Sequence, residues 1–504
     1  MAYVPGTAWQ GKYPHHDEPL PNVCSASSRA DAVQELVSLL SPLLPGQPFS
    51  GSRQLQAEEH REILSAIQNL VPTLSRDDRV FATFHDGQVH DPLGGGSYAF
   101  EKDLVGPLLT ALKDDEIHSL TREDARHRAH FDGTITRPII IHAGAQPNNS
   151  PHVGTLIVFC YAFAVAREIR RRLLEKEARS GRRMPPVSVQ ITFVDTAPVN
   201  GYDKKVNGVK YQTAYRDVNG ALAVNLPDYY QVMHFLSAWA DIPFTTSYQS
   251  QFFSGPYMPE LIRYFAECRR TLGKQLSPKY GTVALRAACP VPDCRLAEKH
   301  GVNNEYSPLM KFDDDNMEAG DDNDWIITFH CPTHGPHYIS TDNPADLARL
   351  EANAPARNLL RSMSQLMDTE THHVRVTGAD YAGMYQETFL YRPLADWAYK
   401  STGGLGIPRT PHILYAPLIM DWSGAKLSKS LYVRKDGYQA MKLLGTDSLC
   451  SYAQMKEYFG DNGTKGLGRL WREVTEWMDD PKKLFRAFSI EYLRGIIIDG
   501  ERWN

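Results

Sequence analysis

Between residues 137 and 195 the chain reads as a strand, a turn, a long helix and a second strand. Pro138-Ile139-Ile140-Ile141-His142 is a short apolar run. It leads into Ala143-Gly144-Ala145, then a Pro/Asn loop, then a helix expected over about 152–176. Val187 to Val194 alternates strictly and reads as a second strand ending at Asp195. Val374 to Gly378 is a third candidate strand and Ile413 to Met420 a fourth. Strands alternating with helices argue for an α/β fold, a parallel sheet wound on both faces.

Around this unit the chain divides into segments. Residues 1–28, rich in Pro, His and small polar residues, read as an arm. Residues 29–134 carry helical spacing, as in Ala32-Val33-Leu36-Leu39-Leu40, and read as a helical N-terminal domain. Residues 135–435 form the α/β domain, which 280–345 interrupts with cysteines, acids and turn residues. Residues 436–504 read as a short helical C-terminal region. Gly94-Gly95-Gly96 lacks a following Gly-Lys-Ser/Thr and reads as a plain turn. Asp313 to Asp324 holds seven acids in twelve residues, a solvated loop by composition.

Composition narrows the class. A net charge of −5 gives no global basic field for nucleic acid, which leaves room only for a local patch. Arg167 to Arg183, with eight basic and three acidic residues, is such a patch or else a solvated helix. The longest apolar run, Leu156 to Ala166, is too short to span a bilayer. No secretion or organelle signal is read at the start. The seven cysteines are odd in number and unevenly spaced, which fits a reducing compartment. A cytoplasmic protein is the expectation.

Two short motifs carry the chemistry. The first is Pro147-Asn148-Asn149-Ser150-Pro151-His152-Val153-Gly154-Thr155-Leu156. A strand that feeds a glycine turn and a helix N-terminus makes an anion site, with free amides and the helix dipole facing the ligand. His152 opens the helix and can donate to a phosphate oxygen. Gly154 lets a base or ribose lie on the backbone. The second motif is Lys426-Leu427-Ser428-Lys429-Ser430, after the turn Asp421 to Ala425. Two ammonium groups on a mobile loop can close on a leaving pyrophosphate as its charge develops.

In this order, the motifs resemble the HIGH and KMSKS signatures of class I aminoacyl-tRNA synthetases, with Thr155 where that family often has a second His. The resemblance covers roughly residues 135–435. It implies a Rossmann-like catalytic domain of the HUP type with an insertion between its halves, and ATP with Mg²⁺ as the activating nucleotide. It assigns catalysis to His152, Lys426 and Lys429, and ATP binding to Asn149, His152, Gly154, Thr155, Gly378, Asp380 and Ser428. Gly144, Asp195, Tyr381 and Gln386 are the candidates for the amino acid. The acids among these loops suggest a basic substrate, arginine or lysine. A tRNA partner is implied, as acceptor or as aminoacyl donor.

Cys289-x₄-Cys294 followed by Cys331-Pro-Thr-His334 has the layout of a structural zinc site, with His330 and His337 as alternative fourth ligands. Only 74 residues follow Ser430, fewer than a usual anticodon-binding domain needs. That departure keeps two further readings open. One is a synthetase-derived, tRNA-dependent amide-bond-forming enzyme of the cyclodipeptide synthase type, such as the fungal arginine-dependent ones, using arginyl-tRNA. The other is a non-catalytic RNA-binding paralogue.

Overall fold

The structure is a computed structural model that describes residues 103–119, 135–309, 324–401, 411–427 and 441–500. The arm (1–28) and most of the region expected to be a helical N-terminal domain (29–134) lie outside the described residues. Within that region helix α1, Val105–Ser119, is described; its Leu108 and Leu112 are fully buried.

Five parallel strands form the central sheet. They are β1 (Ile139–Ala145), β2 (Val187–Phe193), β3 (Phe244–Tyr248), β4 (His372–Gly378) and β5 (His412–Ala416). The spatial order is β5-β4-β1-β2-β3, and each neighbouring pair is parallel. This is the Rossmann-like order 3-2-1-4-5, in which the chain leaves β1 on one side and later returns on the other. Register is fixed by pairs such as Ile141 with Val189 and Val374, and His142 with Gln190 and Arg375.

The sheet is covered on both faces because alternate strand residues point to opposite sides. Leu414 and Ala416 of β5 join one core, with helix α2, Val153–Ser180, across it; Ile413 and Tyr415 join the other. On β1, Ile139, Ile141, Ala143 and Ala145 are buried in the first core, whereas Ile140, His142 and Gly144 on the opposite face are partly exposed. That incompletely covered face holds the cavity described below. Helix α3 (Leu226–Ala240) also packs into the first core, through Val232, Met233 and Leu236.

Residues 280–345 lie between β3 and β4. Their strands pair antiparallel, as in Trp325–Cys331 with Gly335–Ser340, and not with the central sheet. Helix α4 (Ala354–Met367) then leads back into β4. After β5, helix α5 (Thr464–Asp479) returns to the first core with Leu467, Leu470, Val474 and Trp477. Trp477 stacks on Phe488 at 4.6 Å. The C-terminal helices therefore complete the same core as β1 and α2.

The basic run on α2 is engaged within the chain. Arg172 makes two 2.7 Å hydrogen bonds to the Asp103 carboxylate, Arg171 pairs with Glu168 and Glu175, and Arg170 pairs with Asp241. Among the described residues, no helix is long and apolar enough to cross a membrane.

Candidate active site

The crevice at the carboxyl ends of β1 and β4, where the strand order reverses, is a cavity of about 290 Å³. This is where open α/β sheets bind ligands. Gly144 of β1, Gly378 of β4, the start of α2 and Lys426 all line it.

The first motif forms the cap of α2. His152 has extended backbone angles and its Nδ1 accepts from the Gly154 N–H at 3.1 Å. An acceptor at Nδ1 puts the ring's proton on Nε2, which lies 3.4 Å from Thr155 Oγ1. Burial, and then the nearby Lys426 ammonium, push the imidazole down to about 4, so the ring is neutral at physiological pH. A Cβ at Gly154 would lie 3.0 Å from the His152 ring, so a larger residue there would have to push that ring aside. The loop before the cap is held from the C-terminal side. Tyr452 N donates to Pro151 O at 2.8 Å, and Ala453 N to Ser150 Oγ at 3.0 Å. Asn149 turns inward on this loop, its Oδ1 accepting from Ser150 N at 2.9 Å, and does not line the cavity.

The second motif follows a turn built by Asp421. The buried Asp421 Oδ1 accepts from Ser423 N at 2.9 Å, Ser423 Oγ at 2.7 Å and Ala425 N at 2.9 Å. Leu427 is buried in the core, and Lys426 beside it reaches the cavity. Lys426 Nζ donates to Asp380 Oδ2 at 2.7 Å. Ser428 and Lys429 lie outside the described residues.

Of the amino-acid candidates, Gly144, Tyr381 and Gln386 line the cavity and Asp195 does not. Asp195 accepts from Ser250 N at 2.9 Å and from the Ser250 hydroxyl, an assignment that ties the end of β2 to the segment after β3.

Sequence reasoning passed over the cavity's most charged wall. Arg357 and Arg361 stand one turn apart on α4, and Arg375 projects from β4; all three line the cavity. Arg375 donates to Ser362 Oγ at 2.9 Å and to Asn358 Oδ1, and Asn358 Nδ2 donates to Gln386 Oε1 at 3.1 Å. Arg361 donates to Gln249 Oε1. Burial, and then the neighbouring guanidiniums, hold Arg361 well below the ordinary arginine range; burial brings Arg375 down to about 10. The available signals were an arginine inside an apolar strand and an i, i+4 arginine pair facing it. Beside them His142 Nε2 and His373 Nδ1 are 2.8 Å apart, and His373 Nε2 lies 2.9 Å from Asp368 Oδ2.

In the inserted module, one ligand atom each from Cys289, Cys294, Cys331 and His334 lie within 4.8 Å of one another. Cys289 Sγ to His334 Nδ1 is 3.4 Å, and Cys331 Sγ lies 3.6 Å from both Cys294 Sγ and His334 Nδ1. Zn–S bonds of about 2.3 Å and Zn–N of about 2.0 Å at tetrahedral angles give edges of roughly 3.5–3.8 Å. The donor set thus fits a four-coordinate zinc with no open position. His337 instead points its Nε2 to Ala287 O at 3.3 Å, and His330 faces Glu305.

No protein-family model matches the chain, and no curated protein matches it significantly. Among solved structures, a glutamate-tRNA synthetase from Elizabethkingia anophelis is 11% identical, with 58% of this chain and 52% of that one covered and a TM-score of 0.24. A glutamate tRNA ligase from Elizabethkingia meningosepticum, in complex with its amino acid, is 12% identical, with 56% and 50% covered and a TM-score of 0.21. The chain spans about half the length of the solved structures it matches.

Proposed function

We propose that the chain is a class I synthetase-like enzyme that activates an amino acid as its aminoacyl-adenylate. What carries the reading is one cavity, at the strand-order reversal, that is lined by His152, Gly154 and Thr155 of the first motif and by Lys426 of the second. ATP, as its Mg²⁺ complex, takes the carboxyl edge of the sheet, with adenosine along Gly154 and Gly378. A carboxylate oxygen of the amino acid attacks the α-phosphorus. The bond from that phosphorus to the bridging oxygen breaks, and pyrophosphate leaves. His152 contributes a neutral Nε2–H donor and Lys426 a cation beside the phosphates, groups whose worth rises as charge accumulates on the leaving oxygens. Lys429 and Ser428 complete the second motif. The acyl group then passes to an acceptor, for which a tRNA 3′ end is the leading candidate. Zinc, held by Cys289, Cys294, Cys331 and His334, is structural.

Amino-acid-dependent ATP–pyrophosphate exchange tests this directly. All twenty amino acids are supplied, with and without total tRNA, beside Lys426→Ala and Lys429→Ala proteins. Exchange with one amino acid, lost in the variants, is the expected result. No exchange under any condition would overturn the proposal and return attention to consumption of precharged aminoacyl-tRNA.

A further inference from the structure

The cavity has two chemically different ends. At the carboxyl edge lie His152, Gly154 and Lys426, with Asp380 as the acid of that end. A second group of lining residues is cationic, Arg357 and Arg361 from α4 and Arg375 from β4. Arg375 stands three residues before Gly378, about 10 Å back at roughly 3.3 Å per residue. Arg375 thus stands back from the carboxyl edge on the partly uncovered face of the sheet, and Arg361 is close enough to feel its charge.

Buried guanidiniums ordinarily face carboxylates, because an unbalanced buried charge is costly. Here the hydrogen-bond partners of Arg361 and Arg375 are neutral: Gln249, Ser362 and Asn358. No carboxylate of the described residues is paired with either. The contrast is close by, since Arg286 in the same half of the molecule has Glu351 at 2.8 Å. Gln386 adds a second, independent sign. Its side chain is fully buried and lines the cavity, and Nε2, a donor, has no hydrogen-bond partner among the described residues. Gln386 Nε2 is thus a spare donor beside two cations with neutral partners, a set that an acceptor carrying negative charge would complete. Planar forks of this kind match a carboxylate through paired N–H donors.

We propose that this end of the cavity recognises a side-chain carboxylate, so that the substrate is a dicarboxylic amino acid. The inference rests on the amino-acid-activation reading only for the role of the other end; recognition itself is a binding property. It runs opposite to the basic substrate that the acids in the loops suggested. Asp195 and Asp380, two of the acids in that argument, are engaged by Ser250 and Lys426.

The test is equilibrium binding to the full chain, by calorimetry and by ligand-induced thermal shift. The probes are L-glutamate, L-aspartate, L-glutamine, L-arginine and L-lysine, with inorganic phosphate and pyrophosphate alongside. Expected are binding of glutamate or aspartate, none of arginine or lysine, and a loss of about 10- to 100-fold in Arg361→Gln and in Arg375→Gln. Arg361→Gln without ligand should unfold at the same temperature as the parent or higher, because a repulsive buried charge has gone. A merely structural arginine would show the reverse. Preference for a basic or neutral amino acid overturns the proposal. So does protection by phosphate with none by dicarboxylates, which would make this a phosphate site, or glutamate binding that Arg361→Gln leaves unchanged. If Arg361→Gln fails to fold, Arg357→Lys and the parent's ligand preference decide the question. Exchange driven by a basic amino acid would keep the activation reading and sink this one. Dicarboxylate binding without any exchange would do the opposite.

Discussion

The Lys426 ammonium lies 2.7 Å from Asp380 Oδ2 and so joins the turn after β5 to the loop after β4 across the mouth of the cavity. Both side chains are about one-third exposed, so the pair adds little to stability, at most ~1 kcal/mol. Its consequence is positional: the cation is held at the cavity, where the proposed adenylation would have it exchange a carboxylate for phosphate oxygens. Lys426→Ala is therefore expected to lower the turnover of pyrophosphate exchange by about 10²- to 10³-fold, with the unfolding temperature nearly unchanged. Steady-state exchange kinetics and a melt of the same protein check this together. Undiminished exchange would remove Lys426 from the chemistry.

His152 gives a pH dependence with a defined sign. Unfolded, an imidazole takes up its proton near 6.5; folded, His152 does so only near 4. Between those values the unfolded chain binds more protons. The His152 contribution to stability is thus fully present above about pH 6.5 and is lost as the pH falls towards 4. Protonation also removes the Nδ1 lone pair that accepts from Gly154 N–H and so uncaps α2. His152→Asn keeps a side-chain cap but has no such titration. Its stability should fall less steeply between pH 6.5 and 4 than the parent's, while exchange drops at all pH values. An NMR titration showing His152 protonating near 6.5 would refute the account.

Much of this architecture is legible in the chain because its signals are local. The runs at 139–145, 187–193, 372–378 and 412–416 are apolar strands buried on at least one face, and the spacing of the first two around a long helix gives the crossover. Phe244-Thr245-Thr246-Ser247-Tyr248 carries no comparable local signal. As an edge strand with partly exposed residues it needs no apolar run, and its pairing with β2 is a tertiary fact. The motif residues that line the cavity are those with a strong local grammar. The arginines carry only the weaker signals of one charge within a strand and an i, i+4 pair; that α4 lays its pair beside β4 at the cavity is a tertiary fact. Asp195 shows the converse: an acid at a strand end looks like a ligand group, yet Ser250 takes both its oxygens.

The cysteine cluster makes a stoichiometric prediction. Four ligand atoms within 4.8 Å of one another should hold one zinc per chain, measurable by elemental analysis, and Cys331→Ser should lose it. Because the ligands come from both ends of residues 289–334, binding energy there is folding energy for the module. Strong chelators should then lower the unfolding temperature of the parent and leave Cys331→Ser, already destabilised, unmoved. Adenylate formation should decline only as far as the fold does. Full retention of stability in metal-free protein would argue against a structural zinc.

Glu116 provides a test of how α1 is attached to the sheet. Its carboxylate is buried and accepts from Thr136 N at 2.7 Å, Arg137 N at 2.9 Å and Thr136 Oγ1 at 3.1 Å; His372 Nε2 lies 2.8 Å away. One acid thus anchors the residues entering β1 and the first residue of β4. Burial works against ionisation, but the hydrogen bonds from His372, Arg137 and Thr136 prevail and keep the carboxyl below its ordinary value. Its stabilisation is present above about pH 4.5 and disappears as the pH falls through the lower folded value. Glu116→Ala strands several buried donors and should cost ~3–5 kcal/mol in urea unfolding, and Glu116→Gln, which keeps an acceptor, should cost less. The Ala variant should also lose part of the parent's acid sensitivity below pH 4.5. If instead it unfolds at the parent's urea midpoint, α1 is not held to the sheet through this carboxylate.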